Sequence, residues 1–362
     1  MKQFKRIGVL TSGGDAPGMN AAVKAVVRKA LREGLEVVGS KGGYRGLIDN
    51  DLIKLDAITV SNIANISGTF MYTDRCLEFK TEEGMQKAIA TCKRNNIDAL
   101  VAIGGDGTFR GATDMSLRGV PTVGVTGTID NDITATDYTV GFDTAMNTVL
   151  EAVEKFKDTC ESHARCNVIE VMGRDCGQIA LMTAIASGAI AVAIPEVPFD
   201  EEEALARIKT ARENGRRGMI VIVSEGVFYT DENGNKIPYG EYFKKKCQEV
   251  TGVETKFARL AHMVRGGHPT LRDRLTASRM GVKAVELLLE GKSNLIVIEE
   301  DGKYVPMDIV FALTTDRMYK NKLKPGDLDK YNEEELAAMK AICDKRTAEI
   351  AELYKIANEI AL

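Results

Sequence analysis

Apolar runs of about six residues alternate along this chain with stretches of helical periodicity, the pattern of strands buried on both faces of a parallel sheet and joined by helices. In the first half Ile7–Leu10, Val37–Gly39, Ala99–Ile103 and Thr122–Val125 read as strands, with helices at about 19–33, 82–95 and after residue 108. In the second half strands are expected at 167–171, 190–194, 219–223 and 295–298, and helices at 141–162, 175–188, 200–213, 239–250 and 270–290. Residues 126–137 form a polar loop between a strand and the longest of these helices. Asp231-Glu232-Asn233-Gly234-Asn235 is dense in turn formers and reads as a surface hairpin or insertion. From Asn332 onward, Leu336, Met339, Ile342, Ile350 and Leu353 recur on one side of a helix. The pattern predicts an α/β fold of two lobes, each a mostly parallel sheet flanked by helices, with a helical C-terminal extension. The first lobe is expected over 1–140 with part of 255–305, the second over 141–254 with part of 306–320, and the extension over 321–362. A cleft between two such lobes is where ligands usually sit.

Composition narrows the function class. The 362 residues are 44% hydrophobic and 28% charged, ordinary for a soluble globular enzyme. A net charge of -4 gives no reason to expect a nucleic-acid or membrane partner, so an anionic ligand must be held by local basic residues. The seven cysteines have no C-x-x-C spacing and the three histidines form no zinc pattern, which points to reduced thiols in a cytoplasm. The start, Met1-Lys2-Gln3-Phe4-Lys5-Arg6, leads into a strand without the apolar stretch of a signal peptide. The most apolar segment, 182–199, is too interrupted by Ser187, Gly188, Pro195, Glu196 and Pro198 to span a bilayer.

Chemistry concentrates at strand ends. Thr11-Ser12-Gly13-Gly14-Asp15-Ala16-Pro17-Gly18 and Gly104-Gly105-Asp106-Gly107-Thr108 each follow a strand and precede a helix. Glycines there let backbone N–H groups approach a phosphate, and the helix N-terminus adds a positive dipole end. Neither turn matches the P-loop or the Rossmann pattern, and each alone also reads as an ordinary strand-to-helix connection. Asp106 shifts the balance, because a carboxylate among phosphate-binding amides calls for a cation between them; it is a candidate Mg2+ ligand. Thr128-Ile129-Asp130-Asn131-Asp132 carries two carboxylates two residues apart after a strand. One could accept a hydroxyl proton while the other organises a metal or basic residues; taken alone, the segment also reads as a solvated turn. Arg75, Arg165, Arg174 and Arg265, with His262, are candidates for the positive charge that phosphoryl transfer requires.

Taken together these residues resemble the 6-phosphofructokinase family over roughly residues 4–320. The resemblance is carried by Gly8 to Asn20, Gly104-Gly105-Asp106-Gly107-Thr108, Gly127-Thr128-Ile129-Asp130-Asn131-Asp132, Glu170-Val171-Met172-Gly173-Arg174 and Arg265-Gly266-Gly267. It implies an ATP-binding first lobe and a sugar-phosphate-binding second lobe. Asp130 would take the proton from the 1-hydroxyl of fructose 6-phosphate, supported by Thr128 and Asp132, and Asp106 would bind Mg2+. Gly14, Tyr44, Arg75, Cys76, Gly105, Gly107, Thr108 and Gly111 would surround ATP. Arg75 and Arg174 would stabilise charge on the transferred phosphoryl group. Met172, Gly173, Arg174 and Glu225 would hold the fructose moiety, and Arg165, Lys256, His262 and Arg265 its 6-phosphate. Arg165 and Lys256 are expected from a neighbouring subunit, so a homo-oligomer, by family expectation a homotetramer, is implied.

In pyrophosphate-using relatives Asp and Lys typically stand where this chain has Gly107 and Gly127. Glycine at 107 leaves room for an α-phosphate, and glycine at 127 lacks the charge a compact pyrophosphate needs, so ATP is the expected donor. Lys256 stands for a usual Arg, losing the bidentate fork, and Cys76 for an aromatic residue. Arg259 and Ala261 also depart from the pattern around His262, which leaves a related sugar such as sedoheptulose 7-phosphate open. A catalytically silent sugar-phosphate-binding protein is disfavoured by the retention of Asp130, Asp106, Arg75 and Arg174. The basic residues of the family's effector site persist as Lys24, Arg28, Lys157, Arg216 and Arg217. Ala57, Asn62, Ile190, Asn214 and Gly218 depart from it, so little or no activation by ADP is expected.

Overall fold

The computed structural model describes residues 4–361; Met1–Gln3, read above as the lead into the first strand, and Leu362 lie outside the described residues. In chain order the strands are β1 (Arg6–Ser12), β2 (Glu36–Ser40), β3 (Leu52–Leu55), β4 (Ala99–Gly104), β5 (Thr122–Thr126), β6 (Cys166–Val171), β7 (Ala191–Ala193), β8 (Met219–Ser224), β9 (Phe228–Thr230), β10 (Lys236–Pro238), β11 (Thr255–Arg259), β12 (Leu295–Glu300) and β13 (Lys303–Asp308). The helices are α1 (Met19–Arg32), α2 (Tyr44–Asp49), α3 (Glu82–Arg94), α4 (Asp106–Leu117), α5 (Phe142–His163), α6 (Gln178–Ser187), α7 (Glu201–Glu213), α8 (Tyr239–Thr251), α9 (Leu271–Leu289), α10 (Ile309–Tyr319) and α11 (Glu333–Glu359). Every strand and helix expected above is found, with ends shifted by a few residues.

The chain divides into two compact units. The first holds Met1–Ile129, Ile133–Thr144 and Arg265–Cys343. Its seven-stranded sheet has the order β13-β12-β5-β4-β1-β2-β3. The five central strands are parallel, and the two edge strands β3 and β13 run antiparallel. All six residues of β4 are buried, as its unbroken apolar run predicts. The three motif turns therefore leave the C-terminal ends of three adjacent strands, β1, β4 and β5, where open α/β sheets place their ligands. Residues 306–320, of which the sequence reading gave a part to the second lobe, lie in this unit as the end of β13 and all of α10.

The second unit holds Asp130–Asp132, Ala145–Val264 and Asp344–Leu362. Its sheet, β11-β6-β8-β7, is parallel throughout. The turn-rich segment 231–235 closes the β9–β10 hairpin. Buried Val168, Ala193, Val221, Val223, Phe243 and Cys247 form the core beneath this sheet. The described cysteines are all free thiols, and no helix among the described residues is long and apolar enough to cross a membrane.

Candidate active site

In the first unit the turns after β1 and β4 lock to each other through a threonine hydroxyl. Thr108 Oγ1 donates to the Ser12 carbonyl at 2.9 Å. A side chain on Gly104 would lie 2.3 Å from that hydroxyl and 2.5 Å from the same carbonyl, so only glycine lets β1 and the start of α4 close up. Gly13 and Gly18 take φ of 89° and 101°, the left-handed region that glycine enters freely. The segment before Arg75 seals the first turn: Gly13 N–H donates to the Asp74 carbonyl at 3.3 Å and Thr73 Oγ1 to the Gly13 carbonyl at 2.9 Å. Arg75 is exposed and takes part in none of the ion pairs among the described residues; Cys76 packs on the unit's core.

Tyr44 is buried, stacks on Phe79 with centroids 4.0 Å apart, and donates its hydroxyl to the Thr108 carbonyl at 2.7 Å. Gly111 faces those rings, and a Cβ there would meet Tyr44 Cζ at 2.7 Å. Tyr44 and Gly111 thus shape α4 from behind. Beyond Gly107 a Cβ would meet nothing within 4 Å, and Gly105 looks toward Thr128 Cβ at 3.7 Å. Asp106 sits in the first turn of α4, partly exposed, its carboxylate held by Arg110 at 2.9 Å in an exposed pair. Arg265 is 5% exposed and belongs to this unit. It donates to the Asp15 carbonyl at 3.0 Å and lies where a side chain on Gly14 would reach, 2.7 Å from its Nη1.

A residue that sequence reasoning missed fixes the far end of the 126–137 loop. Asp273 is fully buried; it accepts from Tyr138 Oη at 2.6 Å and Gly141 N–H at 2.7 Å on one oxygen, and from Thr144 N–H at 2.9 Å on the other. Burial pushes its carboxyl above the usual range, against the pull of these donors. Thr270 and Asp273 have the spacing of a helix capping box, and Thr270 caps α9; that was the available signal.

In the second unit side chains hold one another. Asp130 is 0% exposed, and Arg174 Nε lies 3.2 Å from its Oδ2; Arg174 Nη1 is 3.9 Å from Asp132 Oδ2. Glu225, just beyond β8, accepts from the backbone N–H of Gly173 at 3.2 Å and of Arg174 at 3.0 Å, fixing the turn after β6. Asn131 Nδ2 donates to Gln178 Oε1 at 2.5 Å. Three non-glycine residues of these loops take left-handed backbone, Asn131 at φ 47°, Arg174 at 52° and Ala261 at 45°. Such strain clusters at functional sites. An open pocket is lined by Glu170, Val171, Met172, Glu225, Arg259, Ala261 and His262. Its walls are the C-terminal ends of β6, β8 and β11 with the residues that follow them. Arg259, absent from the expected site, holds Glu170 at 2.5 Å and Glu241 at 3.0 Å. Arg165 and Lys256 share one carboxylate, Glu254, at 2.7 and 2.9 Å, and the two cations bring that carboxyl down to about 2.

The basic residues read as remnants of an effector site are engaged by main-chain carbonyls. Lys24 donates to Ser61, Arg28 to Ala57 and Lys157 to Ser187, while Arg217 donates to Glu161 and Ser162. Arg216 donates to Gly188 and Ala361.

Comparison with known proteins gives the same family as the motifs. The family model described as phosphofructokinase matches residues 6–288. "ATP-dependent 6-phosphofructokinase 1" of Clostridium perfringens is 50% identical over 320 residues, 88% of this chain and 97% of the relative. The ATP-dependent 6-phosphofructokinase of Bacillus subtilis is 50% identical over 312 residues, 86% of this chain and 95% of the relative. The solved structure of phosphofructokinase from Saccharomyces cerevisiae superposes with a TM-score of 0.83 at 32% identity, covering 97% of this chain and 49% of the yeast chain. This chain belongs to the phosphofructokinase family.

Proposed function

We propose that the chain transfers the terminal phosphoryl group of Mg·ATP to the 1-hydroxyl of fructose 6-phosphate, giving fructose 1,6-bisphosphate and ADP, a step of glycolysis. The observation that carries this reading is the fully buried Asp130 carboxylate with Arg174 at 3.2 Å, in a loop held in left-handed backbone. Asp130 accepts the hydroxyl proton as the sugar oxygen attacks, with Thr128 and Asp132 in support. Arg174 and Arg75 neutralise charge on the moving phosphoryl group. Met172, Gly173, Arg174 and Glu225 hold the sugar, and Arg165, Lys256, His262 and Arg265 its phosphate. Gly14, Arg75, Cys76, Gly105, Gly107 and Thr108 surround the nucleotide, with Tyr44 and Gly111 shaping the helix beneath it.

Among the described residues no three His, Cys, Asp or Glu side chains form a cluster able to hold a metal by themselves. That fits Mg2+ delivered with nucleotide phosphates, which needs only one or two protein carboxylates. Asp106, partly exposed beside the open space at Gly107, is the carboxylate for it. Bound Mg2+ neutralises phosphate charge and orients the donor. ATP as donor is favoured over pyrophosphate by the open space at Gly107 and by the packing at Gly127, where a Cβ would lie 3.1 Å from Met19 and 3.3 Å from Ile103. The shared Glu254 holds Arg165 and Lys256 together as one basic group, suited to reach a neighbouring subunit's substrate in a homo-oligomer, which we take to be a tetramer working in the cytoplasm.

The test is initial-rate measurement with ATP or pyrophosphate against fructose 6-phosphate, sedoheptulose 7-phosphate and other sugar phosphates, beside Asp130→Asn. The expected result is turnover with Mg·ATP and fructose 6-phosphate, and a loss of roughly two or more orders of magnitude in the variant. Turnover with pyrophosphate alone, or an undiminished Asp130→Asn, overturns the reading.

A further inference from the structure

One guanidinium in the pocket of the second unit takes no part in the proposed reaction. Arg259 ends β11 opposite Glu170, its register partner on the parallel strand β6. Strand periodicity puts Phe257 on the same face, and the guanidinium lies 5.5 Å over that ring. From there Arg259 Nε reaches Glu170 Oε1 at 2.5 Å, and Nη2 reaches Glu241 Oε1, in the first turn of α8, at 3.0 Å. The second oxygen of Glu170 lies 3.5 Å from the same Nη2.

The two partners see different amounts of water. Glu170 is buried, at 5% exposure, whereas the Arg259 side chain remains half-exposed. Among the described residues Arg259 is the only hydrogen-bond or ion-pair partner of the Glu170 carboxylate. A buried carboxylate stays ionised at a high cost unless a charged partner compensates it. Glu225 lines the same pocket, but its carboxylate is engaged by the backbone N–H groups of Gly173 and Arg174. Two carboxylates therefore line a pocket that the proposed reaction fills with a phosphorylated sugar, and Arg259 is the one guanidinium among the lining residues. Without it, the Glu170 charge would stand uncompensated beside an anion.

We propose that Arg259 is a specificity-determining residue: it cancels the charge of Glu170 in the pocket wall, and so admits a dianionic sugar phosphate where the carboxylate alone would repel it. Its task is the charge balance of the pocket, not a direct bond to the substrate. The inference rests on the reading of this pocket as the place where the sugar phosphate binds.

The experiment compares the wild-type full-length protein with Arg259→Gln, Arg259→Lys, Glu170→Gln and the double variant Glu170→Gln/Arg259→Gln. Initial rates give kcat and both KM values, and calorimetric titration with fructose 6-phosphate gives its affinity apart from turnover. Arg259→Gln should raise the KM for the sugar phosphate, and weaken its binding, by roughly tenfold or more, because like charges brought together at a binding surface are strongly penalised. The KM for ATP and kcat should stay within about twofold, since the loss falls on binding of the sugar phosphate. Added salt should shrink the defect by screening it. Arg259→Lys keeps the charge and should stay within roughly threefold of wild type. The double variant removes both charges and should recover most of the affinity, a rescue that a merely structural ion pair would not give. A double variant as weak as Arg259→Gln overturns the proposal, because the guanidinium would then act by contact. So does an unchanged sugar KM in Arg259→Gln, or the same loss in Glu170→Gln alone. If Arg259→Gln gives no soluble protein, the Lys variant and the double variant decide by the same affinities. Wild-type protein that binds fructose 6-phosphate without turning it over sinks the proposed function and leaves the affinity series to decide this inference; wild-type protein that does not bind it overturns both.

Discussion

The two units build their loops by opposite means. In the first, the left-handed backbone of the turns after β1 and β2 falls on glycine: Gly13, Gly18, Gly42 and Gly43. The turns there are held by hydrogen bonds to main-chain carbonyls and by close approaches that exclude any side chain, as at Gly104 and Gly111. In the second, the same backbone region is forced on Asn131, Arg174 and Ala261. Asn131 is clamped by Gln178, and Arg174 by Glu225 and Asp130. A surface meant to present N–H groups to phosphates gains from having no side chain. A site that must present a carboxylate or guanidinium at one point cannot use glycine, and accepts a strained backbone of order 1–3 kcal/mol per residue instead.

The sharpest way to break this contrast is Arg174→Gly. It removes the strain and the guanidinium together while leaving the backbone free to keep its path. If the strain exists to present the charge, kcat should fall by about 10²–10³, the usual loss when one group stabilising transition-state charge is removed. The KM for ATP should change little. The melting temperature should move by no more than about 2–4 °C, because relief of strain offsets the lost contact with Asp130. Near-wild-type kcat in this variant would mean that the left-handed turn serves only the fold.

The contrast also explains what could be read from the sequence. The first unit's loops were legible because glycine runs at strand ends have one main physical use, and the buried parallel strands β4, β6 and β8 announce themselves as apolar runs. The Asp130 loop was legible only in company, since Asp and Asn in a polar loop also make turns. Three of the four edge strands of the two large sheets were missed for reasons their residues state. β11 carries Lys256 and Arg259 at the rim of its sheet, β13 contains Pro306, and β3 is four residues long; edge strands are short, charged or proline-bearing by design. The pairing of Arg259 with Glu170, the burial of Arg265 on the Gly14 turn and the Asp273 anchor are long-range facts. No local pattern encodes which distant carbonyl or carboxylate an arginine will meet.

A smaller effect tests the first unit. In Gly111→Ala the new methyl would gain about 1 kcal/mol of helix propensity. It would also meet the stacked Tyr44 and Phe79 rings at 2.7 to 2.9 Å, and overpacking of a closed core costs typically 1–3 kcal/mol. The expected outcome is a net loss of about 1 kcal/mol in denaturant unfolding, with a KM for ATP raised several-fold and the KM for the sugar unchanged. Equal effects on both KM values would show that Tyr44 and Gly111 do not act on the nucleotide side alone.

The smallest effect should come from Ala261→Gly. Ala261 is the one strained residue of the three whose side chain offers nothing to a ligand, being a methyl at φ 45° beside His262 on the cavity wall. Glycine removes the left-handed penalty of roughly 1–2 kcal/mol for an L residue. Part of that gain is returned through the more flexible unfolded chain, about 0.4–1 kcal/mol. Stability should therefore rise by about 0.5–1 kcal/mol, visible as a small increase in denaturation midpoint at constant slope. Catalysis tells why the strain is kept. If Ala261 only fills space, kcat is unchanged and the KM for the sugar phosphate rises slightly as the wall recedes. If the strained turn holds His262 in place, kcat and that KM both worsen although the protein is more stable, and strain at Ala261 would then serve presentation of a neighbour's side chain.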